Sequence, residues 1–183
     1  MTLPLRVLVA DERGRPAAVP GLARWLARVA PARARGTVNI AMVSDATVRD
    51  LNRRYRGVDA ATDVLSFPAG PVVHAANQAS VSSPQPPAPS PKPQDSSPLL
   101  GDIVIARGVA RRQARAARHS EAIEFRVLAL HGLLHLIGYD HERDDGRMRR
   151  VEQRLRRKGR LREGLLERAS GSRTTPGGRA RNR

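Results

Sequence analysis

Three of the five histidines in this 183-residue chain fall within one short stretch, as His131, His135 and His141. Residues four apart lie one turn apart on the same helical face, so the imidazoles of His131 and His135 can converge on one metal ion. Gly138 favours the end of that helix, because glycine readily adopts the left-handed conformation, and the turn brings His141 round as a third ligand. Three imidazoles suit zinc, although nickel and copper also accept them, and they leave a fourth tetrahedral position open for water or substrate. The spacing therefore predicts one catalytic Zn²⁺ per chain.

The same spacing, H-x-x-x-H-x-x-G-x-x-H, occurs in a large class of zinc proteases. Those enzymes carry a glutamate directly after the first histidine as their general base. In this chain that position is Gly132. The metal ligands fit the comparison but the peptidase chemistry lacks its base, so a zinc peptidase is the least favoured function.

The eleven residues from His131 to His141, H-G-L-L-H-L-I-G-Y-D-H, resemble the signature H-G-x-L-H-L-x-G-Y-D-H of the YbeY family of bacterial endoribonucleases. Two further stretches support the resemblance, L-N-R-R-Y-R at 51–56 followed by T-D-V-L-S-F-P at 62–68, and L-G-D-I-V-I at 100–105. The resemblance implies a zinc-dependent, single-strand-specific endoribonuclease. It also implies a role in 16S ribosomal RNA 3′-end maturation and late ribosome quality control, with ribosomal RNA and the small ribosomal subunit as partners.

The resemblance extends to residues outside the histidine stretch. The family places an arginine near the metal at the position of Arg56, where a guanidinium can grip two phosphate oxygens and stabilise charge that develops during cleavage. Spacing alone would instead pair Arg56 with Asp59 or Asp63. Residues 57–59 read Gly-Val-Asp where the family often has Gly-Lys-Asp; if that lysine helps to hold RNA, another basic residue must do so here. His119 also matches a histidine of the family, although a cap or turn role explains it equally well.

Two carboxylates are candidates for supporting the site. Asp102 precedes a predicted buried strand, so we expect it at a strand end, where it orients a histidine ligand or satisfies backbone donors of a turn. Asp140 adjoins His141 and is a candidate general base, or else an anchor for the turn. The sequence identifies no other general base.

The chain carries 33 lysines and arginines against 17 acidic residues, a formal net charge of +16. Such a charge attracts a polyanion and makes its binding salt-dependent, which favours RNA as the partner. Aromatic residues make up only 3% of the chain, so we expect phosphate contacts more than base stacking. A predicted basic helix at 107–118 offers four candidate phosphate contacts, with a solvated face as the alternative: Arg111, Arg112, Arg115 and Arg118. The rival function is an RNA-binding ribosome-assembly factor, whose structural zinc would need a fourth protein ligand.

Apolar patterning predicts an α+β fold, with a small mixed sheet of about four strands packed by helices. Strands are predicted at 5–9, 37–43, 64–67 and 103–105, and helices at 21–29 and 107–118. Three further helices are predicted: one capped by Ser44 or Asp45, one after Ser120, and a last one through Leu155. The helix after Ser120 is apolar all round, which indicates a buried central element carrying the metal histidines.

Composition divides the chain into one domain and two irregular segments. We expect a single metallohydrolase domain over residues 1–167, containing a Pro/Ser-rich disordered insertion at 69–99 and followed by a disordered basic tail at 168–183. The sequence has neither a long apolar run nor a charged-then-apolar leader, which predicts no membrane span and a cytoplasmic location. It has no cysteine, which excludes disulfides and thiolate metal sites.

Overall fold

The computed structural model describes residues 4–70, 97–141 and 144–161. Most of the predicted insertion, residues 71–96, and the whole predicted basic tail lie outside the described residues. None of the helices in the described part is long and apolar enough to cross a membrane.

Four strands form one mixed sheet in the order β1-β2-β4-β3. They are β1 (Leu5–Asp11), β2 (Gly36–Val43), β3 (Val64–Pro68) and β4 (Leu99–Ala106). β1, β2 and β4 run parallel, whereas β3 lies antiparallel to β4 at one edge. The backbone N–H of Ala69 donates to the carbonyl of Leu100 at 2.9 Å, so the chain leaves β3 and enters β4 at neighbouring points. The predicted fold class is confirmed.

Five helices accompany the sheet: α1 (Leu22–Val29), α2 (Asp45–Arg56), α3 (Arg107–Ala116), α4 (Glu121–Leu136) and α5 (Arg147–Lys158). Ser44 caps α2 and Ser120 caps α4, each through a side-chain oxygen that accepts a backbone N–H three residues later. Gly57, with a left-handed φ of 69°, caps the C-terminal end of α2. Arg56 is therefore the last residue of a helix and not the first residue of the loop that follows.

The helices cover both faces of the sheet. Side chains alternate along a strand, so Ile103 and Ile105 of β4 join the large core on one face while Val104 joins a smaller cluster on the other. The large core includes buried residues of α1, α4 and α5, and the smaller cluster includes Val48 of α2. In α3 the buried residues are Ala110 and Ala114, and Val109 is half-buried and packs against the smaller cluster.

α4 is the most deeply buried helix of the described part, with ten of its 16 residues buried. Gly132 allows it to approach the sheet closely, because a Cβ at this position would lie 2.9 Å from Cγ2 of Ile103 and 3.0 Å from Oγ of Ser66. The Ser66 hydroxyl also donates to the Gly132 carbonyl at 3.2 Å. The helix that carries two of the candidate ligands is therefore held directly against β3 and β4.

Candidate metal centre

The structure brings the three predicted metal ligands together. Nε2 of His131 lies 3.1 Å from Nε2 of His135, on consecutive turns of α4. The ring of His141, from the loop after α4, has its centroid 5.7 Å from that of His131 and 5.3 Å from that of His135. One nitrogen from each of the three side chains lies within 4.8 Å of the others.

The backbone after α4 directs His141 to this position. Gly138 has a φ of 84° and ends the helix. Its N–H donates to the His135 carbonyl at 2.9 Å, and the N–H of Tyr139 donates to the Leu134 carbonyl at 3.0 Å, which together form a Schellman motif. The Tyr139 ring packs against the core, and Cζ of Arg33 lies 3.8 Å from its centroid. The turn predicted from Gly138 is therefore present, and it is held by two backbone hydrogen bonds and by the packing of Tyr139.

The donor set fits a tetrahedral ion. Two imidazole nitrogens that each lie about 2.0–2.1 Å from a tetrahedral zinc are about 3.3 Å apart, which is close to the 3.1 Å between the two Nε2 atoms. Within the part of the chain that the structure describes, no further histidine, aspartate or glutamate joins the group. Three neutral donors with a fourth position open are the ligand set of a catalytic zinc site.

Burial and neighbouring charges keep His135 in the neutral form that binds a metal. Burial lowers the pKa of His135 to about 4, and the neighbouring rings of His131 and His141 act in the same direction. A hydrogen bond with the Tyr139 backbone and the charge of Asp140 oppose this effect without cancelling it. At neutral pH the His135 ring is therefore uncharged and has a lone pair to offer a metal.

The buried carboxylate of Glu152 contacts His131. The sequence did not assign this residue to the site. Oε1 of Glu152, on α5, lies 3.6 Å from Nδ1 of His131 and 2.6 Å from Nη2 of Arg156. Glu152 is 7% exposed and Arg156 is 5% exposed. Burial alone would raise the pKa of Glu152, but the contacts with His131 and Arg156 outweigh it and hold the pKa below its usual value. The Glu152 carboxylate is therefore ionised at neutral pH, next to the candidate ligand His131.

The sequence did contain a signal for this residue. Met148, Val151 and Leu155 mark the inward face of α5, and Glu152 falls between them. A carboxylate on a buried helix face must have a partner, because an isolated buried charge is too unfavourable to persist. That signal indicates a partner but does not say that the partner is His131.

Comparison with known proteins identifies the family. Residues 21–159 match the family described as Endoribonuclease YbeY. The chain belongs to the YbeY family. A similar protein named endoribonuclease YbeY from Anaeromyxobacter sp. (strain Fw109-5) is 40% identical over 93% of this chain and 82% of its own length. Others of the same name come from Solibacter usitatus, at 42% identity over 69% of each chain, and from Helicobacter pylori (strain Shi470), at 37% over 73% of this chain and 79% of that one.

In this YbeY-family chain, Arg56 lies exposed at the end of α2. The preceding residue, Tyr55, packs edge-on against Phe67 of β3 at 5.1 Å between centroids, which fixes this end of the helix against the edge strand. The acidic partners suggested by spacing are engaged elsewhere, since Asp59 pairs with Arg49 at 2.8 Å and Asp63 accepts from Gln113 at 2.9 Å. No ion pair of Arg56 is found among the described residues, and its catalytic role stays a prediction.

Three other candidates have partners or positions that the sequence did not define. Asp102 lies inside β4, not at a strand end as expected, and accepts from Nδ2 of Asn39 at 2.9 Å. Nε2 of His119 lies 2.9 Å from Oε2 of Glu124, at the start of α4. Asp140 is half-buried in the ligand loop, where its charge acts on His135. The supporting roles proposed for Asp102, His119 and Asp140 stay predictions.

The four candidate RNA-binding arginines divide into two pairs, and Arg118 lies beyond the end of α3. Arg111 pairs with Glu121 and Arg112 pairs with Asp45, each at 2.9 Å. Arg115 and Arg118 are exposed, and neither forms an ion pair within the described ranges. The second pair therefore offers the less compensated charge to a phosphate backbone.

Proposed function

We propose that this protein is a zinc-dependent endoribonuclease that cleaves single-stranded RNA in the cytoplasm. The observation that carries the proposal is the convergence of the His131, His135 and His141 imidazoles, with a fourth position open, in a member of the YbeY family. Relatives named endoribonuclease over most of this chain support RNA as the substrate.

We further propose that the RNA is the 3′ end of 16S ribosomal RNA, presented by the small ribosomal subunit during late quality control. The family resemblance supports this target. The formal charge of +16 also supports it, because a strongly basic protein is attracted to the dense phosphates of a ribosomal particle.

Different residues have different roles in the proposed cleavage reaction. When bound, zinc supplies a Lewis acid that lowers the pKa of a water molecule to about 7. His131 and His135 hold the ion from a buried helix, so its position is set before RNA arrives. Arg56 binds two non-bridging phosphate oxygens and stabilises the negative charge added during attack. Asp140, beside a ligand in the chain, is the candidate proton acceptor.

The rival functions fit the site less well. A structural zinc in an assembly factor would need a fourth protein ligand, and the described residues around the three histidines supply none. A zinc peptidase would need a glutamate at position 132. Gly132 instead packs against Ile103 and Ser66, where even a Cβ is crowded.

The direct test is cleavage of a labelled single-stranded RNA at low salt by purified protein. We expect cleavage to disappear in His135→Ala and after treatment with a chelator, and to return in the wild type when zinc is restored. His74→Ala, purified identically, is the matched control for loss of a histidine outside the ligand set, and it should cleave normally. Activity that persists in His135→Ala would refute the proposal; zinc and RNA binding without cleavage would favour the assembly factor.

A further inference from the structure

Each ring nitrogen of His131 faces a different group. Nε2 points toward Nε2 of His135, at 3.1 Å, which makes it the nitrogen available to the ion. Nδ1 is the other nitrogen, and it faces Oε1 of Glu152 at 3.6 Å. Because a metal-binding nitrogen carries no proton, the single proton of a neutral His131 ring must lie on Nδ1, the side of the carboxylate.

The interaction of Glu152 with Arg156 is not explained by stability alone. Both side chains are buried, and their 2.6 Å contact uses only Nη2 of the guanidinium. Nε and Nη1 of Arg156 are also buried, and neither has a hydrogen-bond partner in the described part of the chain. A buried ion pair with unmet donors is generally no more stable than apolar residues of the same size, so a gain in stability does not account for this pair.

We propose that Glu152 is a positioning residue for the metal centre. Its carboxylate selects the His131 tautomer with the proton on Nδ1 and holds the ring so that Nε2 faces the ion, while Arg156 holds the carboxylate. The inference rests on the proposed zinc site. At 3.6 Å the contact is longer than a hydrogen bond, so Glu152 acts on the ring through its charge.

The role has a clear chemical consequence. A negative charge beside the Nδ1–H of a ligating imidazole makes the other nitrogen a stronger donor and favours the ring orientation in which Nδ1–H faces the carboxylate. Glu152 belongs to α5 and His131 to α4, so the packing of these two helices contributes to metal affinity. The metal site then depends on an element that supplies no ligand.

The test is zinc affinity of the full chain, measured by competition with a chelator of known affinity. Glu152→Gln keeps the shape and removes the charge, and we expect it to weaken zinc binding about 10–100-fold. The visible spectrum of bound Co²⁺, which reports ligand geometry, should also change. Asp63→Asn is the matched control, because Asp63 is a half-buried carboxylate whose partners, which include the side chain of Gln113 and the backbone N–H of Val64, are not candidates for the metal site. It should leave zinc affinity and the Co²⁺ spectrum unchanged.

A second variant keeps the inference testable if Glu152→Gln does not fold. Glu152→Asp retains the charge but draws the carboxylate back by one methylene, so a folded Asp variant should also lose zinc affinity. Wild-type affinity in either folded variant would overturn the proposal. The readout is independent of RNA: an unaffected Glu152→Gln beside a wild type that cleaves RNA would refute only this inference, whereas tight, Glu152-dependent zinc binding without cleavage would refute only the proposed function.

Discussion

Oδ1 of Asp45, the first residue of α2, accepts a 3.0 Å hydrogen bond from the backbone N–H of Val109 in the first turn of α3. Residue Ala106, at the N-cap of α3, provides no side-chain acceptor. Oδ2 of Asp45 also accepts from Arg112 at 2.9 Å. One carboxylate therefore caps a helix that is distant in sequence and joins two helices of the fold.

Replacing Asp45 should destabilise the protein. We expect Asp45→Ala to lower the free energy of unfolding by about 1–2 kcal/mol, because α3 loses its only side-chain cap in the described structure. Urea denaturation measures this loss. Asp50→Ala is the control on the same helix: its partner Arg53 is exposed, as is Asp50 itself, so the change should stay below about 0.5 kcal/mol. Equal losses in the two variants would contradict the capping role.

The same carboxylate should give the protein a specific sensitivity to acid. Burial alone would raise the pKa of Asp45, but the hydrogen bonds from Arg112 and Val109 outweigh it and hold the pKa below its ordinary value of 3.8. A carboxyl with a lowered pKa adds stability that is fully present above its unfolded-state pKa and is lost as pH falls through the lower folded-state pKa. The difference in unfolding free energy between wild type and Asp45→Asn should therefore be constant near neutral pH and shrink below pH 3.8. A difference that is the same at all pH values would show that the charge contributes nothing.

Gly132 should not tolerate a methyl group. Alanine is the better helix former by about 1 kcal/mol, but its Cβ would crowd Ile103 and Ser66. We expect Gly132→Ala to lower the unfolding free energy by about 1–3 kcal/mol through overpacking. The double variant Gly132→Ala/Ser66→Ala should recover part of the loss in thermal or urea unfolding, because it removes one of the three crowded atoms, the Ser66 hydroxyl oxygen. A more stable Gly132→Ala would mean that the helix moves without penalty.

Arg56→Ala should abolish cleavage and leave zinc content normal. Loss of a group that stabilises developing negative charge typically lowers the rate about 10²–10³-fold. Single-turnover cleavage of labelled RNA, together with metal analysis, separates this effect from loss of the ion. Arg54→Ala removes a neighbouring exposed arginine whose Cζ lies 5.7 Å from the Tyr55 ring centroid, and it should cleave nearly as well as wild type. Unchanged cleavage by Arg56→Ala would remove this residue from the mechanism.

The four candidate arginines in and after α3 allow a matched test of RNA binding. Replacing both Arg115 and Arg118 with glutamine should weaken affinity for single-stranded RNA more than replacing both Arg111 and Arg112, whose charges are already paired. If Arg115 and Arg118 contact phosphates, the slope of log affinity against log salt should fall by about 1.4, or 0.7 per contact. Fluorescence anisotropy at several salt concentrations measures both quantities. Equal effects of the two double variants would show that only net charge matters.

The sequence predicts what depends on neighbouring residues. Histidines four apart on a helix, followed by Gly138, define a local geometry, and the structure forms it through the Schellman motif at Tyr139. Contacts between distant elements are not predicted, because they do not depend on neighbouring residues. The capping of α3 by Asp45 and the contact of Glu152 with His131 depend on how helices meet, which spacing within one helix does not encode.

Two errors show where patterning misleads. The apolar run that begins at Ile103 predicts Asp102 at a strand end, yet β4 starts at Leu99 and includes this polar residue, which pairs with Asn39 across the sheet. The helix predicted at 107–118 extends too far, because α3 ends at Ala116 and Arg118 has a left-handed φ of 55°.

The hydrogen bond between Ala69 and Leu100 has a practical consequence for engineering. It closes the antiparallel pair at the point where residues 71–96 leave and rejoin the described chain, so the two junctions are neighbours in space. A connection between adjacent points changes in length at little entropic penalty, since each doubling adds only about 0.6 kcal/mol. The β3–β4 junction is therefore a natural attachment point for a fluorescent reporter or an affinity module that leaves the sheet and the histidines in place.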